Sequence, residues 1–372
     1  MERDEKSRLA AFKGTPWMDL LGRLVCDRPG LMRAVARLET RMLADRLEAI
    51  SIDAPLWITG LARSGSTVLL ELLAAHPAVT TQRYRDFPPI FTPYLWNRLL
   101  DFVPLKPEQP VERAHQDRIL VTSESPEAFE EPLWMAFFPH LHDPHRPAVL
   151  GGTVEHPDFE AFLADHIRKL LQLRRRARYL AKANYNVTRL GYLLKLFPDA
   201  RFVVPIRNPL WHIASLMKQH RLFSDAERLY PSARRHLARV GHFEFGLDRR
   251  PIHCGNQRAV DDILALWAAG REAEGWAVQW SEVYGFLSHH LETDSALRRA
   301  TLIVRYEDLT QEPRQTLTRI LNHCRLDASP ELLRQAESRL RPPDYYRPQF
   351  RKPALDAIRA RTAAVSTRFG YA

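Results

Sequence analysis

The segment Gly60-Leu61-Ala62-Arg63-Ser64-Gly65-Ser66-Thr67 constrains this chain more than any other. It follows a short apolar run, Pro55–Thr59, that reads as a buried strand, and it precedes Val68–Ala75, which reads as an apolar helix. A glycine loop between strand and helix turns several backbone N–H groups toward one point, and the helix N-terminus adds positive potential there. The spacing matches the phosphate-loop pattern G-x-x-x-x-G-K-[ST], except that Ser66 stands where ATPases carry Lys. Arg63, two residues before Gly65, supplies the missing cation. The loop is expected to bind an anion, though not in the manner of an ATPase.

Further apolar runs at Ala78–Gln82, Arg178–Lys182, Arg201–Ile206 and Thr301–Arg305 read as strands. Between and after them lie helical stretches at 158–177 and 188–197, from Pro209, over 258–292, and from Pro313 and Pro330. Strands alternating with helices predict an α/β fold of three layers, with helices on both faces of a central parallel sheet. The simplest organisation is one domain over residues 1–372. Residues 1–50 place apolar and charged residues at helical spacing and form an N-terminal helical layer. Two segments read as insertions beside the sheet: 84–150, which opens with a Pro-rich aromatic stretch, and 221–257, which is basic and rich in His, Pro and Gly and is expected to be mobile.

The net charge of +10 points to anionic partners such as nucleotides, acidic glycans, lipid headgroups or nucleic acid, and charge alone does not choose among them. Cys26, Cys254 and Cys324 are far apart with no C-x-x-C spacing, so neither a disulfide framework nor a thiolate zinc site is expected. The N-terminus is too charged for a secretory signal, and no run approaches the roughly 20 apolar residues of a membrane helix. A cytoplasmic protein is the expectation. Arg174, Arg175, Arg176 and Arg178 could touch an acidic membrane surface, or simply form a solvated helix end.

A second anion site follows from Ile206-Arg207-Asn208-Pro209. Arg207 ends a buried strand, Asn208 is a good N-cap, Pro209 a good first helical residue, and Ser215 lies within two turns. An Arg, a helix N-terminus and a hydroxyl suit a terminal phosphate; the alternative is a structural Arg with a Ser bonded to its own helix. Two anion sites on strand ends of one sheet fit a ligand with phosphate at both ends.

Gly60–Thr67, with Leu69 and Leu72, resembles the 5′-phosphosulfate loop of sulfotransferases (G-x-P-R-S-G-T-T). Pro198–Pro209 with Ser215 resembles their 3′-phosphate motif, and Val304-Arg-Tyr-Glu-Asp-Leu309 their Y-E-D-L segment. The likeness spans about 55–325 and is nearer the bacterial and Golgi-type branches. It implies the P-loop NTPase-like sulfotransferase fold and a donor, 3′-phosphoadenosine 5′-phosphosulfate (PAPS). Arg63, Ser64, Gly65, Ser66 and Thr67 would hold the phosphosulfate, Arg207 and Ser215 the 3′ phosphate, and Tyr306 would lie near the adenine. Ala62, Ser66 and Asn208 depart from the family's Pro, Thr and Asp, all with backbone donors retained. The partners implied are PAPS and a hydroxyl-bearing acceptor, acidic or neutral (a glycan, glycolipid or small molecule), without nucleic acid, and sulfuryl transfer requires no metal.

The chemistry needs the acceptor proton removed and charge on the departing phosphate stabilised. Arg63 and the loop amides suit the second task. Lys182, which the resemblance matches to a family Lys, would stand near the leaving oxygen or the acceptor. Asp86, in Gln82–Pro88 just beyond the second strand, is the candidate base; the alternative is a surface Arg–Asp pair with Arg83 and Arg85. His140, His142 and His145 lack a standard zinc spacing and are expected to face solvent or an acidic acceptor. Trp96, Trp134, Trp211 and Trp267 suit either a sugar-stacking platform or the core. The segments 84–150 and 221–257 would shape the acceptor pocket. The competing readings are a phosphate-loop kinase or NTPase, and a non-catalytic binder on the same scaffold.

Overall fold

The computed structural model describes residues 9–14, 16–103, 108–342 and 348–371. Its strands are β1 (Leu56–Ile58), β2 (Val79–Thr80), β3 (Val111–Glu112), β4 (Leu120–Val121), β5 (Arg178–Lys182), β6 (Arg201–Ile206) and β7 (Thr301–Arg305). Among the described residues, five of them form one parallel sheet in the order β2-β5-β1-β6-β7, while β3 and β4 pair as a separate antiparallel hairpin. β1 is central, with Trp57 opposite Ala181 on one side and Phe202 on the other.

Alternation along these strands makes two cores. Trp57, Ala181 and Phe202 face one way, onto the helices Pro157–Arg174, Leu190–Leu196 and Glu272–Thr293. Leu56, Ile58, Leu180 and Val203 face the other, onto Ser66–Ala74, Pro313–His323 and Pro330–Arg339. Burying each such large side chain is worth about 1.5–3 kcal/mol. A three-layer α/β/α fold follows directly. Helices Pro16–Val25, Pro29–Met42 and Ala44–Glu48 make up the N-terminal layer. No helix among the described residues is long and apolar enough to cross a membrane.

Four local readings differ from the expectation. The 258–292 stretch is two helices, Gln257–Ala268 and Glu272–Thr293, separated at Gly270, whose φ of 71° no side chain adopts easily. Residues 221–229 complete the helix Pro209–Leu229, and Pro231–Arg239 is a further helix. Leu222, Phe223, Ala226 and Ala233 bury themselves in a third core with Ile263 and Trp276, so half of the supposed insertion is packed structure. The arginine cluster is not a surface patch. Arg174 pairs with Asp86, and Arg178 donates to the carbonyls of Ala54, Cys324 and Arg325, which leaves Arg175 and Arg176 exposed. His142, read as a loop residue facing solvent or acceptor, is 7% exposed and lies 2.7 Å from a Glu131 carboxylate oxygen through Nε2.

Candidate active site

Parallel strands end at the same edge of a sheet, so whatever follows each strand converges there. Here that edge receives Gly60 and the phosphate loop after β1, Lys182 at the last position of β5, Arg207 after β6 and Tyr306 after β7. Four sites scattered over the sequence become neighbours.

The loop conformation explains its sequence. Gly60 has φ 129° and Gly65 φ 101°, and Arg63 itself takes a left-handed φ of 71°. A Cβ on Gly60 would stand 3.3 Å from the Pro205 carbonyl; one on Gly65 would stand 2.7 Å from the Tyr306 ring. Gly65 caps the helix Ser66–Ala74 without a side-chain hydrogen bond, so its first N–H groups are not capped by a side chain. The Ser64 hydroxyl is buried, with the Tyr284 hydroxyl as its neighbour. From behind, His212 Nε2 meets the Ala62 carbonyl at 2.8 Å; burial is the main cause that pushes the His212 pKa down to about 3, so the ring is neutral and donates.

The two anion segments touch. Arg63 Nε donates to Ser215 Oγ at 3.3 Å, which joins the loop after β1 to the helix after β6. Arg207, 9% exposed, lays its guanidinium over the Tyr306 ring at 4.6 Å. Tyr306 thus sits between Gly65 and Arg207. Asn208 caps its helix by accepting from the Leu210 N–H at 3.0 Å, and its own N–H donates to Glu307 at 3.0 Å. Glu307 also accepts from the Tyr371 hydroxyl at 2.6 Å. A helix start without a side-chain cap, a buried hydroxyl and two arginines suit a ligand with an anion at each end.

Arg63 has a second partner. The turn of the β3–β4 hairpin brings Asp117 to it, Nη1 to Oδ2 at 2.7 Å, while Arg113 grips the same carboxylate at 2.5 and 2.9 Å. Burial opposes the Asp117 charge, but Arg113 and Arg63 overcome it and hold the carboxyl far below the usual range. Lys182 is lowered from its ordinary value by burial; Glu127 and Glu244 oppose the fall, and Arg113 and Arg63 deepen it. These carboxylates lay outside the sequence motifs because no local pattern announces them.

Asp86 is not brought to this edge. It is 1% exposed, receives Arg174 Nη2 at 2.7 Å on both oxygens, and accepts from Asn97 Nδ2 and the Arg83 N–H at 2.8 Å each. All its acceptor capacity serves a buried network. Trp134 and Trp267 lie in the core, and Trp96 donates to the Arg85 carbonyl.

Comparison with known proteins agrees with the geometry. The model of a sulfotransferase family matches residues 55–249, and the chain belongs to that family. Among solved structures, it is similar to sulfotransferase STF9 from Mycobacterium avium, with 15% identity, a TM-score of 0.51, and 90% of this chain and 82% of that chain covered. Sulfotransferase STF1 from Mycobacterium tuberculosis H37Rv aligns at 16% identity and a TM-score of 0.48, over 97% of this chain and 92% of that one. At these identities the likeness concerns the fold. No curated protein matches the sequence.

Proposed function

We propose that the protein transfers a sulfuryl group from PAPS to a hydroxyl of an acceptor. The observation that carries this reading is the direct Arg63–Ser215 hydrogen bond beside the Arg207–Tyr306 stack. That bond joins the two segments, which supports one site for a nucleotide bearing phosphate at both ends. The loop amides with Ser64, Ser66 and Thr67 would hold the phosphosulfate, Arg207 and Ser215 the 3′ phosphate, and Tyr306 the side of the nucleotide between them. Arg63 would stabilise charge on the departing phosphate, a preorganised role that needs no movement during the reaction. To do so it must exchange Asp117 for the donor. Lys182 stands nearby as the second cation.

A kinase would place a metal-binding Asp at a strand end beside its phosphate loop; here Arg207 follows β6. Titration with adenosine 3′,5′-bisphosphate tests the reading. Binding that is independent of Mg²⁺, stronger than that of ATP, and followed by label transfer from ³⁵S-PAPS to a panel of hydroxyl compounds supports it. Preference for ATP with Mg²⁺ overturns it.

A further inference from the structure

Sulfuryl transfer to a hydroxyl needs a base, and Asp86 is committed elsewhere. Two other groups of this edge could serve. Glu127 has one oxygen accepting the neighbouring Ala128 N–H at 2.7 Å and also bonds the Tyr84 hydroxyl. His115, on the β3–β4 hairpin, is held well below its ordinary pKa by burial and by the charges of Arg113, His242, Arg63 and Lys182. A base so weakened accepts a proton poorly.

His242 has a different setting. It lies just beyond the helix Pro231–Arg239, and its ring stacks on Phe223 at 4.9 Å with an interplanar angle of 3°, which fixes the ring plane. Nδ1 faces Glu244 Oε2 at 3.5 Å, and the Tyr185 hydroxyl also bonds that carboxylate. The other Glu244 oxygen accepts from Asn184 Nδ2 at 2.7 Å. Asn184 follows Lys182 by two residues, and its carbonyl accepts from Thr59 Oγ1 at the end of β1, next to Gly60. The pair is therefore anchored to the strand ends that carry the phosphate loop and Lys182. Burial opposes the Glu244 charge, but His242, Asn184 and Lys182 together keep the carboxyl below its usual range.

We infer that His242 is the base that takes the acceptor proton, and that Glu244 orients it. This rests on the sulfotransferase reading above. A carboxylate facing Nδ1 favours the tautomer with its lone pair on Nε2 and stabilises the imidazolium that forms. In the transfer, the acceptor oxygen forms an O–S bond while the S–O bond to the donor's 5′ phosphate breaks. The bonding pair leaves on that phosphate, and the acceptor proton goes to His242 Nε2 and then to solvent. His115, 5.8 Å away ring to ring, and His236 are the other titratable groups that act on this ring, besides Glu244.

The test uses the full chain and labelled PAPS with three acceptors: water, benzyl alcohol and p-nitrophenol, the last largely ionised unaided at mildly alkaline pH. His242→Ala and the better-packing His242→Gln should keep adenosine 3′,5′-bisphosphate affinity within about twofold. Transfer to water and benzyl alcohol should fall by about a hundredfold or more, the usual worth of a positioned base, and transfer to p-nitrophenol by much less. Added imidazole should restore part of the activity of His242→Ala. Glu244→Gln should lower transfer to the two unionised acceptors about tenfold. Unchanged transfer in both His242 variants overturns the assignment, as does an equal loss for all three acceptors without imidazole rescue, or loss of bisphosphate binding. Wild-type protein that binds the bisphosphate yet releases no sulfate to any acceptor counts against the transferase reading itself.

Discussion

The sheet edge proposed to hold the donor and the wall proposed to face the acceptor are built in opposite ways. At the donor edge, each functional residue sits at or just beyond the end of a parallel strand, so a few consecutive residues determine its place: Gly60–Thr67, Arg207–Pro209, Tyr306. On the acceptor side, a hairpin turn, a helix and a loop meet only in the folded chain. Asp117, Phe223, His242 and Glu244 belong together by packing and not by spacing. A strand end is a local decision, whereas a packed wall is a global one.

Substitutions can break this contrast or sharpen it. The largest effect is expected at Asp86, which the contrast assigns to stability alone. Asp86→Ala leaves Arg174 buried and unpaired and should cost about 3–5 kcal/mol in denaturant unfolding. Bisphosphate binding per folded molecule should stay unchanged, and a selective loss of binding would return Asp86 to the active site. Arg207→Ala should weaken adenosine 3′,5′-bisphosphate about a hundredfold by calorimetry, on the order of 2.7 kcal/mol, with little change in melting temperature.

Gly65→Ala combines φ 101° with a 2.7 Å approach to Tyr306, so a loss of about 1–3 kcal/mol in stability and weaker donor binding should appear together. His212 gives a pH signature. Its folded pKa is depressed to about 3 from 6.5, so the unfolded chain binds the extra proton between these values. Its contribution is complete above pH 6.5 and declines as pH falls toward 3, by up to about 1.4 kcal/mol per pH unit. His212→Gln should flatten that part of the stability–pH curve. The smallest effect belongs to Asp117→Asn. If the donor must displace this carboxylate from Arg63, the variant should bind the bisphosphate a few-fold tighter at low salt, and an unchanged affinity would show that the two do not compete.

The same contrast explains what was legible in the sequence. The strands at 178–182, 201–206 and 301–305 could be read to the residue because apolar runs bounded by turns are local signals, and the motifs at Arg207 and Tyr306 lie at the ends of the last two. Asp86 looked available because it lies just beyond the second strand, with Arg83 and Arg85 as the expected surface partners, but its actual partner, Arg174, is 88 residues away. The stretch 221–257 looked loose because its basic residues dominate the composition, although Leu222, Phe223 and Ala226 keep a helical spacing that packs. Glu244 and His242 carry no motif. A signal existed only in their neighbourhood, a polar run of histidines and carboxylates after a helix, and nothing in it indicated which would face Lys182.

Tyr371 locks the corner from which Arg207 leaves the sheet. Its hydroxyl lies 3.1 Å from the Ile206 carbonyl and donates to Glu307, which in turn receives the Asn208 N–H. During synthesis, β1, β5 and β6 leave the ribosome long before this residue does, and domains settle as units once their parts are present. The corner that presents Arg207 is therefore completed last. A chain ending short of Tyr371 would keep its phosphate loop and β6 yet lose the hydroxyl that ties the Ile206 carbonyl to Glu307.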